Sequence, residues 1–247
     1  MDRLAYTSLS ALRGAMARQA TTANNLANAN TTGFRAEMSA VRPLWLQGGA
    51  ALQSRAPSTG EVMAADMRGG AVSETGRDLD IALEGDALLA VQSNEGDEAY
   101  TRRGDLQLSD SGLLTTGDGF PVLGEGGPIT LPPADKVTID KDGRILIVPE
   151  GGDPAQPQEI ERLKVVSPTG SKIVKALDGL FRVENGGALP QDPGARVISG
   201  SLEGSNVEAT KALVDMIEAS RAWDTQMKLI STAREIDASG ADLMRMP

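Results

Sequence analysis

Two stretches at opposite ends of this chain carry apolar residues at heptad spacing, and the long segment between them does not. Near the start, Ala5, Leu9, Leu12, Met16, Ala23 and Leu26 alternate in steps of four and three, broken only at Gln19. Near the end, Ala209, Leu213, Met216, Ser220, Trp223, Met227 and Ile230 repeat the pattern, with Ile217 beside it. That spacing predicts two helices, each with one apolar seam, over residues 3–29 and 206–240. Helices of this length span roughly 40–50 Å, more than one small β domain needs as a cover. The seam of Leu9, Leu12, Met16, Ala23 and Leu26 with Leu213, Met216, Ile217, Trp223, Met227 and Ile230 is therefore expected to pack helix on helix and subunit on subunit.

The intervening sequence reads differently. Residues 36–75 have turn signals without periodicity and are expected to form an extended, irregular linker. From residue 76 to 204 short alternating runs recur: LDIALEG, ALLAVQ, KVTIDKDGRILIV, RLKVVSP, SKIVK and ARVISG. KVTIDKDGRILIV is a hairpin signal around Asp142 and Gly143. The expected fold is mixed α and β: terminal helices (residues 1–35 and 205–247) paired as a coiled-coil-like layer, and a central all-β body of short strands without a βαβ rhythm.

Composition excludes several kinds of chemistry. The chain has no Cys and no His, so thiolate chemistry, His-ligated metals and an imidazole base are ruled out. Its net charge is −10, unevenly spread: Arg3, Arg13, Arg18 and Arg35 outweigh Asp2 at the start, while the central segment is acidic. An acidic body repels nucleic acid and anionic membrane, and no apolar run is long enough to span a bilayer. The opening MDRLAYTSLSALRG lacks the apolar core of a cleaved signal peptide. Asp78, Asp80 and Glu84 are the best carboxylate grouping for acid–base work or a hard cation, but fit a solvated strand face better. The DKDG run at 140–143 lacks the later ligands of a calcium loop. Arg102 and Arg103 are too isolated for a nucleic-acid patch. No catalytic, cofactor or metal residues are assigned.

Residues 23–34, ANNLANANTTGF, end the first helix in turn-forming residues. Capping accounts for Asn30, Thr31 and Gly33. It does not account for Asn24, Asn25 and Asn28 on the helix body, where amides are expected to fix register between neighbouring helices. Together with Phe34, and with Ser205, Asn206, Val207 and Glu208 before the second helix, these residues resemble the signature of the bacterial flagellar rod and hook family of axial proteins. The segment YTRRGDLQLSDSGLLTTGDGFPVLG is similar to that family's shared body, and the blocks fall in the family's order along nearly the whole chain. Length and opening sequence are most similar to proximal rod proteins, with the distal rod protein as the alternative.

The resemblance implies a structural, non-enzymatic subunit of the flagellar basal body that polymerises helically and transmits torque from motor to hook. It implies partners among copies of this chain, other rod subunits and the flagellar export apparatus. It also implies export to the periplasmic space without signal cleavage. Different classes remain: a ligand-binding β domain or enzyme with helical oligomerisation ends, or a soluble cap or chaperone.

Overall fold

A computed structural model describes residues 2–43 and 58–245; the part of the expected linker between them lies outside the described residues. The chain divides into two compact units. One comprises residues 1–27, 37–64 and 208–247, the other residues 28–36 and 65–207.

The first unit is built on α1 (Asp2–Ala27) and α2 (Ala209–Arg245), which pack on each other, and on a two-stranded sheet of β1 (Glu37–Pro43) and β2 (Ser58–Ala65). The sequence from 36 to 75 is thus partly regular. β1 is fixed to α1 by the Asn25 amide, whose Nδ2 donates to the Glu37 carbonyl at 2.9 Å while its Oδ1 accepts the Glu37 N–H at 2.8 Å. A side-chain amide presents the same donor and acceptor pair as a peptide group, so Asn25 serves the first residue of β1 as a neighbouring strand would. Within the subunit the Asn25 amide thus meets a strand.

The helix pair packs through small side chains. Ser8, Gly14, Ala15 and Thr21 are buried on α1, and Ala212 is buried on α2. Along α2 the shielded positions are Ala212, Met216, Ala219, Trp223, Gln226, Ile230 and Ala233, again in steps of four and three. Within the subunit this stripe contains Met216, Trp223 and Ile230 of the expected seam, while 209, 213, 220 and 227 lie outside it. Small residues recur on both helices, Ala212, Ala219 and Ala233 on α2 and Gly14 and Ala15 on α1, and small side chains let helix axes approach closely. The helix also begins and ends later than expected. Asn206 does not cap it; the first helical bond runs from the Ala212 N–H to the Glu208 carbonyl at 2.9 Å, and α2 passes through Gly240 to Arg245.

The second unit is all β. Its strands are β3 (Val72–Glu74), β4 (Ile81–Leu83), β5 (Leu88–Gln92), β6 (Glu98–Thr101), β7 (Leu106–Leu108), β8 (Leu114–Thr116) and β9 (Ala134–Ile139). There follow β10 (Arg144–Pro149), β11 (Gln158–Arg162), β12 (Val165–Val166), β13 (Ile173–Lys175), β14 (Phe181–Val183), β15 (Val197–Ser199) and β16 (Ser201–Glu203). A five-stranded sheet in the order β12-β5-β6-β14-β13 and a three-stranded sheet β11-β10-β9 supply the larger faces. The β9–β10 hairpin pairs Ile139 with Ile145 across a turn that Gly143 closes at φ 76°.

Apolar residues from these sheets and from the two-stranded pairs β4–β15 and β7–β8 share one core, among them Ile81, Leu89, Val91, Leu106, Leu114 and Ile145. A second cluster gathers Leu88, Ala90, Phe181 and Leu189 around Tyr100. The Tyr100 hydroxyl accepts the Leu189 N–H at 2.6 Å and donates to Glu98 Oε1 at 2.9 Å. Burial, reinforced by Glu98, pushes this phenol up to about 12.

The last strands pair with the first. β15 lies antiparallel on β4, and β16 on β3, with Glu203 opposite Val72. The beginning and end of the β unit are therefore adjacent, and the chain crosses to and from the helices in their vicinity.

Candidate functional site

The chain leaves and enters the β unit at four places: after Ala27, before Glu37, after Ala64 and before Glu208. The residues beside these crossings are bound to one another. The Gly33 N–H donates to the Glu203 carbonyl at 2.7 Å, the Asp66 N–H to the Ala36 carbonyl at 2.7 Å, and the Asn206 N–H to the Phe34 carbonyl at 3.3 Å. Asn206 uses both ends of its amide. Oδ1 accepts the Ala36 N–H at 2.7 Å, and Nδ2 donates to the carbonyls of Asp66 at 2.8 Å and Arg68 at 2.9 Å. One side chain thus ties together the segments leading into β1, out of β2 and into α2.

Below this knot lies a buried ionic triad. Arg35, Arg102 and Glu203 are 1%, 3% and 2% exposed. Arg35 Nη2 donates to Glu203 Oε1 at 2.7 Å; Arg102 donates to Oε2 through Nε at 2.8 Å and Nη2 at 2.5 Å. The Gly70 N–H adds a bond to Oε1 at 2.8 Å. The remaining donors of Arg102 reach the carbonyls of Leu83, Gly85 and Ala87 at 2.8, 2.8 and 2.5 Å. Burial pulls the Arg102 guanidinium below its ordinary value and Glu203 opposes that pull. Such a group is costly to bury; both Glu203 oxygens and every nitrogen of Arg102 are bonded, while Arg35 Nε and Nη1 are buried without a hydrogen-bond partner among the described residues.

Backbones come close enough here that only glycine fits. A Cβ on Gly33 would lie 2.5 Å from the Arg102 carbonyl carbon, and one on Gly70 would lie 2.1 Å from the Gly204 oxygen.

The sequence motif maps onto this joint in part. The Thr31 hydroxyl donates to Asn28 Oδ1 at 3.1 Å and the Thr31 N–H to the Asn28 carbonyl at 3.1 Å, which turns the chain out of α1. The Phe34 ring lies under the Lys175 ammonium, 3.6 Å from its centroid, and Lys175 also donates to the Arg35 carbonyl at 3.2 Å. The Ser205 hydroxyl accepts the Val207 N–H at 3.2 Å. Asn24, Asn30 and Glu208 are exposed, and Glu208 contributes its carbonyl to the start of α2. Among the seam residues, Leu12, Leu26, Met216, Trp223 and Ile230 are half-buried. Leu9, Met16, Ala23, Leu213, Ile217 and Met227 are exposed.

The acidic grouping does not form a site. Asp80 is buried, not solvated: its Oδ2 accepts the Thr75 hydroxyl at 2.7 Å and Arg77 lies 3.5 Å from its Oδ1. Asp78 pairs with Lys136 at 3.4 Å, and Glu84 is exposed. No group of His, Cys, Asp or Glu among the described residues is arranged to hold a metal. No described helix is long and apolar enough to cross a membrane.

Arg35, Arg102 and Glu203 escaped the sequence reading as a set. The one available signal was alternation in β16, where Ser201 and Glu203 occupy the inward positions around Leu202. A carboxylate at an inward strand position needs a cationic partner, although nothing local says which.

Comparison with known proteins agrees with this layout. The family described as "Flagella basal body rod protein" matches residues 6–35, "Flagellar hook protein FlgE/F/G D1 domain" matches 82–147, and "Flagellar basal body rod FlgEFG protein C-terminal" matches 198–243. The flagellar basal-body rod protein FlgF of Salmonella typhimurium is 41% identical over all of both chains, and FlgF of Escherichia coli K12 is 42% identical over all of both. FlgG of Bacillus subtilis is 31% identical over 96% of this chain and 97% of its own. Matched from end to end by relatives of this identity, the chain belongs to the flagellar basal-body rod protein family.

Proposed function

We propose that this chain is a structural subunit of the rod, polymerising helically to carry torque from motor to hook. The observation that carries the reading is the apolar surface that the helix pair leaves outside its own seam. Leu9, Met16, Leu213, Val214, Ile217, Met227, Leu229 and Ile236 are 42–58% exposed. Covering them removes roughly 700 Å² of apolar surface, worth about 17 kcal/mol gross. That is enough to offset an association cost of about 4–15 kcal/mol. A monomer has no use for such a surface, and a subunit with neighbours on several sides does.

The covering partners in this reading are copies of this chain and other rod subunits, meeting head to tail. Contacts of that kind build an open helical array instead of a closed dimer. The higher identity to FlgF than to FlgG favours a proximal position. Export by the flagellar apparatus without signal cleavage, and assembly in the periplasmic space, go with the same reading. No catalytic step is involved; the chemistry of the subunit is burial and register.

Ile217→Asp tests it. Ile217 is 53% exposed, so the subunit folds with its melting temperature nearly unchanged, yet the variant fails to enter basal bodies and cells lose motility. Normal incorporation of the variant would remove the support for the reading.

A further inference from the structure

We propose that Glu203, clamped between Arg35 and Arg102, is a mechanical joint: it passes force between the helices and the β unit without loading the short strand pairs that flank it. The use of such a joint rests on the torque reading above; its mechanical property rests on geometry alone.

α2 starts six residues after Glu203, and Glu203 is the last residue of β16. A pull along α2 therefore passes Asn206, with its bonds to Phe34, Ala36, Asp66 and Arg68, and then reaches a strand that pairs with β3 over only three residues, Ser201 to Glu203. Three ladder positions at the end of a strand open one after another, so alone they resist little.

The clamp offers another route. The Glu203 carboxylate accepts from Arg35, Arg102 and Gly70, and its own carbonyl accepts from Gly33. Charge-assisted bonds of this type are about twice as strong as neutral ones and must break together, because they converge on one residue. From Glu203 the load passes to Arg102 and so to the carbonyls of Leu83, Gly85 and Ala87, beside the core strands β4 and β5. Arg35 lies two residues before β1 and seven after Asn28, where the chain leaves α1. The incoming and outgoing segments thus hold each other directly across 168 residues of sequence, and force applied between them falls on the Arg35–Glu203 bond.

Pulling the full chain by its two ends in a force-clamp instrument loads this joint, because tension enters the β unit at Asn28 and Val207. The variants are Glu203→Gln, which keeps the shape and removes the charge, and Ile145→Ala, a fully buried residue of β10 in the main apolar core. Urea denaturation establishes the equilibrium loss of each, and the comparison is made at equal loss. The expected result is a force lifetime more than about a hundredfold shorter for Glu203→Gln, the lower bound expected on breaking a buried ion pair, with a much smaller change for Ile145→Ala. Equal lifetimes for the two variants would overturn the joint. If Glu203→Gln does not fold, Arg35→Lys keeps the charge with fewer donors, and it too must shorten the lifetime beyond its equilibrium loss. A shortened lifetime in a chain that never enters basal bodies would leave the joint standing and remove the torque reading.

Discussion

Replacing Gly33 by alanine strikes the joint at its tightest point. Gly33 sits at φ 67°, where an L side chain costs about 1–2 kcal/mol. Its new Cβ would stand 2.5 Å from the Arg102 carbonyl carbon and oxygen and 2.6 Å from the Arg103 nitrogen, where an ordinary contact needs at least 3.4 Å. All three are backbone atoms, so no side-chain rotation relieves the overlap. One strand of chain must retreat, and the bond from the Gly33 N–H to the Glu203 carbonyl goes with it, at about 1–3 kcal/mol for a buried group left unpaired. The stiffer unfolded chain returns about 0.4–1 kcal/mol. The net expected loss is about 2–4 kcal/mol, which lowers the urea midpoint of the purified subunit by about 1 M if the slope is about 3 kcal/mol per M. Gly119→Ala is the reference: its φ is 86°, but nothing lies within 4 Å of the added carbon. It carries the conformational cost alone, about 1 kcal/mol. If the two variants lose the same stability, the close approach of backbones at Gly33 contributes nothing and the argument for the joint's tight packing fails.

Asn206→Asp keeps the acceptor for Ala36 but cannot donate to the Asp66 and Arg68 carbonyls, so stability falls by about 2–4 kcal/mol; calorimetry checks this, and an unchanged melting temperature contradicts it. Asn25→Ala removes both bonds to Glu37, and hydrogen exchange at the Glu37 amide should accelerate about tenfold while exchange in β10 stays as it was. Tyr100 has a folded value of about 12 against an ordinary 10, so its contribution is complete below pH 10 and is lost as pH rises through 12. The wild type should therefore lose up to about 1.4 kcal/mol per pH unit across that window, and Tyr100→Phe should not. Parallel pH profiles for the two proteins would show that the phenol does not titrate as its burial requires.

Local patterns were legible in the sequence. The terminal helices followed from four-three spacing, and the β9–β10 hairpin from two alternating runs around Asp142 and Gly143, because each signal lies within a few neighbouring residues. The phase of the α2 seam was not. Alanines at 212, 219 and 233 and larger residues at 213 and 227 mark two adjacent stripes with the same period, and only the small side chains of α1 decide between them. The joint was legible in half. Its turn residues stood out as a motif, but the reason for Asn206 lies 170 residues away at Ala36, and the partners of Glu203 lie 101 and 168 residues away. Asp80 read as a solvated charge because nothing in the neighbouring sequence shows the fold closing over it.

In a rod built as proposed, neighbouring subunits cover the outward apolar residues of the two helices. A map of the assembled rod at side-chain resolution tests it most directly. Leu213, Ile217 and Met227, now 48%, 53% and 45% exposed, should each lie against a side chain of another subunit. Finding those three residues facing solvent in the assembled rod would contradict the claim.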